Sequence, residues 1–580
     1  MKKKIRQFIV AVTLLAFVFV LATACSSTPQ QPAVSVPATE QPAATVEEPA
    51  VAEEAEEAPV EEAEEAAEPE AQEEVVLTVS IPRDADRLDP QRTTLGTSGF
   101  LSNLIYDPLI AKDPETGEFY PWLAESFNRS EDGLVWTFEL REGVTFHDGT
   151  PLNADAVVAT IERLLDPDTQ SPFTNFMGEP NVTKIDEMTV EIAYDEYWAT
   201  FEDLMVWSGD KLGILSPAAI EANGLDYGLN PVGTGPFMFA EWVEGDHITL
   251  VKNTDYSMPA EPFYEVGGPA KVDRIVFQIL PDAQVRLEAQ RGGQTQVMLH
   301  DILPKDILTL QDDPNQVVHS FNAVSVYYVG LNVEKEPTTD PAVRQALSMA
   351  VDRQLIADTI MSGQVVPAYG YLVPALAGLG YDSDGLLSEL DLDYDPEKAG
   401  QLLEEAGWVA GADGVRVKDG QPLELELWVQ NISPRKEIGE IIQSMAAEVG
   451  IRVNLVPMES SAFWNSLSEG GMNAWFGDGQ MPAPDFLSFH FDSSRIPATN
   501  RYRYNNPAVD ELLQAGRTNP DAAARDQAYK EVQRIIFGDA AGIPMFFPLT
   551  TDVYSTAVEN FQVHTGHQEY PLWVDLTLNQ

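Results

Sequence analysis

The sequence predicts a mixed α/β protein of two or more lobes. Three observations carry that expectation. The chain is 580 residues long, several times the ~150 residues of a typical domain. Hydrophobic residues make up 44% and aromatics 9%, enough to fill cores and too many for a wholly disordered chain. Strand-like alternation and capped helical periodicity are interleaved from about residue 75 onward, the mixture that builds sheets covered by helices.

The first 25 residues read as an export signal. Lys2, Lys3, Lys4 and Arg6 precede an uncharged apolar run over 8–21, shorter than the ~20 residues of a comfortable membrane span. Ala22, Thr23 and Ala24 then lead into Cys25, the only cysteine. A single cysteine excludes an intrachain disulfide and a cysteine-based zinc site. The stretch resembles a bacterial lipobox, with Ala22 where leucine is usual. That resemblance implies a signal peptide over 1–24 and a lipid on Cys25. From 26 to 76 there are 15 Glu, no Lys or Arg and no aromatic residue. Such a segment cannot bury enough apolar surface to offset its chain entropy. Residues 25–74 are therefore expected to be a disordered tether, extended by its own charge.

Asp plus Glu is 92 against 35 Lys plus Arg, a net charge of −57. This argues against a nucleic-acid partner, which requires a basic face to displace counterions. It also argues against docking on anionic lipid through surface charge. The body beyond the tether is acidic too, which keeps it soluble and would attract cationic ligands.

Within the body, alternation predicts strands at 77–81, 134–140, 247–251, 272–279 and 423–429. Asp132 and Gly133 suit a tight turn ahead of the second strand, and His147 reads as a turn or packing residue. Helix starts carry a recurring signal, an Asp or Asn cap followed by Pro at the first helical position. It occurs at Asp340-Pro341, Asp395-Pro396, Asn506-Pro507 and Asn519-Pro520. The first predicts a helix over 342–362, with Val343, Leu347, Val351 and Leu355 on one face and Gly363 as the stop. The second predicts a helix over 397–406, closed by Gly407.

Motifs that carry chemistry are scarce. None of the seven histidines lies in an H-E-x-x-H helix. The chain has no G-x-S-x-G elbow and no Walker loop. Gly233-Thr234-Gly235 is followed by Pro236 and strand-like residues, not by the helix N-terminus that a phosphate loop needs. Asp391, Asp393 and Asp395 alternate like calcium ligands but lack the glycine and glutamate of that loop. His564 and His567 read as structural or solvated. No enzyme, metal site or cofactor is expected.

Several segments in order along 75–580 resemble the extracytoplasmic solute-binding proteins of ABC importers, of the oligopeptide, dipeptide and nickel-binding class (family 5). They include LDP at 88–90, IYDPLI at 105–110, PWLAES at 121–126, EDGLVWTFELREGVTFHDG at 131–149 and PVGTGPF at 231–237. VRQAL at 343–347, YDPEKA at 394–399 and LEEAG at 403–407 continue the series. The resemblance implies a two-lobed, type II periplasmic-binding-protein-like fold that closes by a hinge over its ligand. It places lobe 1 at 75–110, 189–280 and 548–580, an inserted subdomain at 111–188, and lobe 2 at 281–547.

The same resemblance points to AWFGDGQMPAPDFL at 474–487 as the ligand-facing segment. In peptide-binding relatives a Trp and, three residues on, an Asp occupy this position; they fall on Trp475 and Asp478. Asp478 is expected to hold the ligand's α-ammonium, because a buried ammonium needs a carboxylate partner. The adjoining backbone is expected to pair with the peptide as an added strand. His300 and Asp301 are further ligand-contact candidates. The usual Asp-Pro or Glu-Pro after the first Asp is replaced by a stretch from Met481 to Asp485 with an apparent one-residue insertion, and Ser460 stands where some relatives have Trp. An oligosaccharide stacked on Trp475 and Phe476 is the alternative ligand. A nickel chelate ranks behind both, and a secreted hydrolase is the alternative outside the family. The expected partners are a small solute, peptide first, and the permease. The expected state is a monomer outside the cytoplasm, anchored to the cell membrane through Cys25.

Overall fold

Where apolar residues alternate in the sequence, the backbone is extended. The computed structural model describes residues 74–112, 118–205, 211–259, 264–300, 302–374, 376, 385–481, 483–564 and 570–579. The signal peptide, Cys25, almost all of the tether, Asp301 and His567 lie outside the described residues.

β1 (Val76–Ile81) buries Leu77, Val79 and Ile81 completely, and α1 (Gly96–Ile105) follows it. The chain then leaves this sheet. β2 (Ala124–Arg129) and β3 (Val135–Leu140) form a hairpin whose turn contains Gly133 at a φ of 74°, where a residue with a Cβ is strained. α2 (Ala154–Leu165) starts at Asn153, whose side chain accepts from Ala156 N. β4 (Asn181–Lys184) and β5 (Thr189–Ala193) complete a separate four-stranded sheet, in the order β2-β3-β5-β4. It covers its own core, with Trp136, Phe138, Ile161 and Ile192 at the centre.

β6 (Phe237–Val243), β7 (His247–Lys252) and β8 (Arg274–Ile279) return to the first sheet as a meander. β8 runs parallel to β1, with Leu77 opposite Ile275 and Ile81 opposite Ile279. β9 (Val297–Met298) lies on the other edge of β1. β10 (Gln316–Asn322) and β11 (Ser325–Leu331) follow, with only Ala323 and Val324 between them. Next come α3 (Pro341–Ala350), α4 (Arg353–Thr359) and β12 (Val365–Pro367). β13 (Glu424–Gln430), α5 (Arg435–Glu448), β14 (Arg452–Met458), α6 (Ser460–Leu467) and β15 (Ala474–Gln480) build the second region. α7 (Pro507–Thr518), α8 (Ala522–Gly538) and β16 (Gly542–Ser555) close the series.

β16 joins the two regions. Its first half pairs with β11 and β12, and its second half with β10 and β9. β10 and β11 therefore run end to end along one 14-residue strand, giving a two-stranded ribbon between the regions. The strand order along this path is β14-β13-β15-β11-β16-β9-β1-β8-β7-β6. Pairing changes from one region to the other at Ala323 and Val324 on one strand and at Pro548 and Leu549 on the other. On the first strand this lies well after the change expected at 281, because β9 and β10 still pair within the first sheet. Each region has its own apolar core: Leu77, Phe237 and Phe277 in the first, and Val329, Leu427, Ile438 and Phe537 in the second.

Three of the four predicted caps hold. Asp340, Asp395 and Asn506 accept from Ala342 N, Lys398 N and Ala508 N. At the fourth, Asn519 ends α7, and Asp521 caps α8 by accepting from Ala523 N at 2.9 Å. The helix predicted over 342–362 is two helices. Val351 is extended, and Asp352 caps a new helix through Leu355 N. The break turns Leu355 outward, where it is 48% exposed, while Val343, Leu347 and Val351 stay buried.

Candidate functional site

β15 emerges from the core as it runs. Ala474, Trp475, Phe476 and Gly477 are buried, Asp478 and Gly479 half-buried, and Gln480 exposed. The pleat sends Trp475, Gly477 and Gly479 to one face and Phe476, Asp478 and Gln480 to the other. One edge pairs with β11 over the full strand, from Ser325 opposite Gln480 to Leu331 opposite Ala474. The other edge pairs with β13 only at Ala474 and Trp475. Beyond that point β13 and β15 separate.

Trp475 and Phe476 are core residues, which corrects the expectation that their rings face a ligand. Both have zero exposed surface. A Cβ at Gly330 would lie 2.1 Å from the Trp475 ring, so the indole rests directly on the β11 backbone. Tyr502 and Tyr328 meet it edge-on at 4.8 and 6.4 Å. Phe476 packs against Tyr327 at 5.8 Å.

Asp478 sits at the opening. Its Oδ1 accepts from Arg435 Nη1 at 2.7 Å, and the carboxyl side chain is 35% exposed against 11% for Arg435. Arg435 also donates to Gln430 Oε1 at the end of β13, and its guanidinium lies 5.5 Å from the Tyr327 ring centre. An ionised carboxylate offers about four acceptor sites, so Asp478 keeps capacity for a ligand cation. Sequence reading missed Arg435. It lies 43 residues upstream, and no spacing rule links the start of α5 to a strand so far along the chain.

The loop after β15 is fixed by Asp485. Its carboxylate is buried and accepts from Arg517 Nε at 2.9 and 3.0 Å, Tyr529 OH at 3.1 Å and Ser488 Oγ at 3.1 Å. This anchor positions Phe486 and Phe489, whose rings meet Phe176 of the inserted unit at 5.0 and 5.2 Å. The start of α1 faces the open end of β15, since a Cβ at Gly96 would lie 3.9 Å from Gln480 Nε2.

His300 belongs to the first sheet, just after β9. Its φ is 55°, its backbone N donates to Asp552 Oδ1 at 3.3 Å, and its Nδ1 lies 3.5 Å from the same oxygen. Its ring meets Phe100 of α1 edge-on at 6.1 Å. His147 is a packing residue: Nε2 lies 3.0 Å from Gly235 O, and burial lowers its pKa to about 4. Gly233 is required for space, because a Cβ there would lie 2.0 Å from Ile105 O.

Residues 118–496 match the model of bacterial extracellular solute-binding proteins, family 5 Middle. The chain is 30% identical over 517 residues to the di/tripeptide-binding protein 2 of Pseudomonas aeruginosa, covering 84% of this chain and 92% of the relative. It is 31% identical over 493 residues to the heme-binding protein A of Haemophilus influenzae, covering 78% and 84%. Among solved structures, the ABC transporter-associated periplasmic binding protein DppA from Helicobacter pylori in complex with peptide STSA superposes with a TM-score of 0.73 at 26% identity, covering 87% of this chain and 98% of that one. The ribbon-linked regions, the separate inserted sheet and these matches agree: the fold is the two-lobed α/β fold of periplasmic binding proteins, and the chain belongs to the bacterial extracellular solute-binding proteins of family 5.

Proposed function

We propose that the protein captures a peptide with a free amino terminus between its lobes and delivers it to the permease of an ABC importer. The observation that carries this reading is the edge of β15. From Phe476 to Gln480 its backbone is paired on one side only among the described residues, and Asp478 stands in the middle of that stretch. An extended peptide can add to such an edge, with main-chain bonds supplying affinity and the carboxylate fixing register. The di/tripeptide-binding relative and the peptide-bound DppA support the choice of ligand. The oligosaccharide alternative loses its stacking rings, since Trp475 and Phe476 are sealed.

The hinge in this reading is the ribbon, so lobe 2 spans about 323–548 and the remainder of the body is lobe 1 with its insert. The protein acts as a monomer, held outside the cytoplasm by lipid on Cys25. Fractionating cells that carry Cys25→Ser tests the anchor: the variant should leave the membrane fraction or stay uncleaved, and a soluble wild type would refute it.

The ligand is tested by calorimetry on wild type and Asp478→Asn, with a tripeptide and its N-acetylated form. A charge-assisted hydrogen bond is worth roughly 1.5–3 kcal/mol, so the substitution should weaken binding about tenfold to a hundredfold. Acetylation should cost wild type a similar factor and the variant little, because both changes break one contact. Equal affinity of the two proteins for the unmodified tripeptide would remove Asp478 from the site.

A further inference from the structure

We propose that Arg501 and Trp464 form a subsite for an anionic oxygen group, a carboxylate in the first instance, on the ligand that lies along β15. The inference rests on the peptide reading and names the side-chain class it favours. It starts from a cation without a counter-charge. In a chain with 92 acidic and 35 basic residues, several enclosed arginines are matched. Arg163 pairs with Asp89 at 2.5 Å and Arg517 with Asp485 at 2.9 Å, while Arg344 donates to the carbonyls of Asp539 and Thr338. Arg501 is half-buried and its Nε is sealed from solvent, yet among the described residues its guanidinium has no hydrogen bond or ion pair. Its Cζ lies 5.1 Å from the centre of the Trp464 ring.

Among the described residues, no carboxylate pairs with Arg501 or acts on its charge. Tyr328 and Tyr502 are the groups that act on it, and burial pushes both phenols up, away from ionisation. His490 is held neutral, first by its own burial and then by the Arg501 and Arg495 charges. Arg495 adds a second guanidinium without an ion pair of its own among the described residues, 4.6 Å from the Phe489 ring centre. It feels Asp485 and Asp492, but those carboxylates are bound by Arg517. An enclosed cation with no partner is unfavourable, and a planar guanidinium fork matches a carboxylate in two parallel hydrogen bonds.

The location fits a ligand on the strand edge. A Cβ at Gly477 would lie 3.5 Å from the Trp464 ring, so Trp464 and Arg501 flank the glycine face of β15, opposite Asp478. Side chains of an added strand alternate between faces. A peptide that places its ammonium at Asp478 therefore turns a neighbouring side chain or its carboxy terminus toward Arg501.

The test compares full-length wild type, Arg501→Gln and Arg501→Lys by calorimetry with Ala-Glu-Ala, Ala-Gln-Ala and amidated Ala-Gln-Ala. Wild type should prefer Ala-Glu-Ala over Ala-Gln-Ala about tenfold if a side chain reaches the subsite. It should prefer Ala-Gln-Ala over its amide about tenfold if the carboxy terminus does. Either preference should vanish in Arg501→Gln and survive in part in Arg501→Lys. Thermal unfolding supplies an arm without peptide. Unliganded Arg501→Gln should melt at or above wild type, and succinate should raise the midpoint of wild type alone, relative to sodium chloride at equal ionic strength. Succinate stabilisation through Arg501, with none of the three peptides binding wild type in calorimetry, keeps the subsite and defeats the peptide reading. Peptides bound alike by wild type and Arg501→Gln, with no succinate effect, defeat the subsite and keep the peptide reading. A lower midpoint for Arg501→Gln without any change in anion preference makes Arg501 structural and overturns the proposal.

Discussion

Two Asp–Arg pairs stand seven residues apart along the chain, at Asp478 and Asp485, and they differ in how far they are enclosed. Asp485 is enclosed. Arg517, Tyr529 and Ser488 occupy its oxygens, and the Asp485 charge overcomes the effect of burial on Arg517, raising the guanidinium pKa. Asp478 has the same charge and a partner of the same type at 2.7 Å, but a third of its side chain is exposed, beside a backbone edge paired on one side only. Residue type alone does not separate a closed pair from one with room for a further partner. Unused hydrogen-bonding capacity does, and so does the state of the backbone nearby.

The largest effect expected from this contrast is at the enclosed pair. Arg517→Leu removes the cation that is hydrogen-bonded to Asp485 and leaves the buried carboxylate with only the Arg495 charge, which makes no hydrogen bond to it. Breaking a buried pair from one side costs about 3–5 kcal/mol. Chemical denaturation should therefore show a large fall in the midpoint with little change in slope, since the surface exposed on unfolding is nearly the same. A midpoint close to that of wild type would mean that the loop after β15 is held by its ring contacts and that Asp485 is no more structural than Asp478.

The sequence discloses local physics well. The caps at Asp340, Asp395 and Asn506 are legible because one side chain meets a backbone N–H two or three residues ahead. The break at Asp352 is not, because the apolar spacing of Val343, Leu347 and Val351 continues across it and an Asp inside a helix looks like any solvated carboxylate. At the site, Asp478 is reached through family resemblance alone. Trp475 and Phe476 share its strand but are buried in the core, and for Trp475 the deciding feature is the missing side chain of Gly330 on a neighbouring strand. Arg435 is brought to Asp478 only by the divergence of β13 and β15. The isolation of Arg501 among the described residues is still further from view, since it is a property of the whole fold and of no motif.

The smallest effect is at the open pair, and it sharpens the contrast from the other side. Without ligand, Asp478→Asn keeps a side-chain acceptor for Arg435 and removes one partly solvated charge. Pairs exposed to water to this degree contribute about 0–1 kcal/mol, because solvent and salt screen them. Arg435 is not stranded by the change, since it still donates to Gln430 and lies over Tyr327. Denaturation of the unliganded variant should therefore stay within about 1 kcal/mol of wild type, while its affinity for a free-amine tripeptide falls by the larger factor argued above. If the unliganded variant loses several kcal/mol, Asp478 supports the fold as Asp485 does, and the difference between the two pairs is one of exposure without a difference in role.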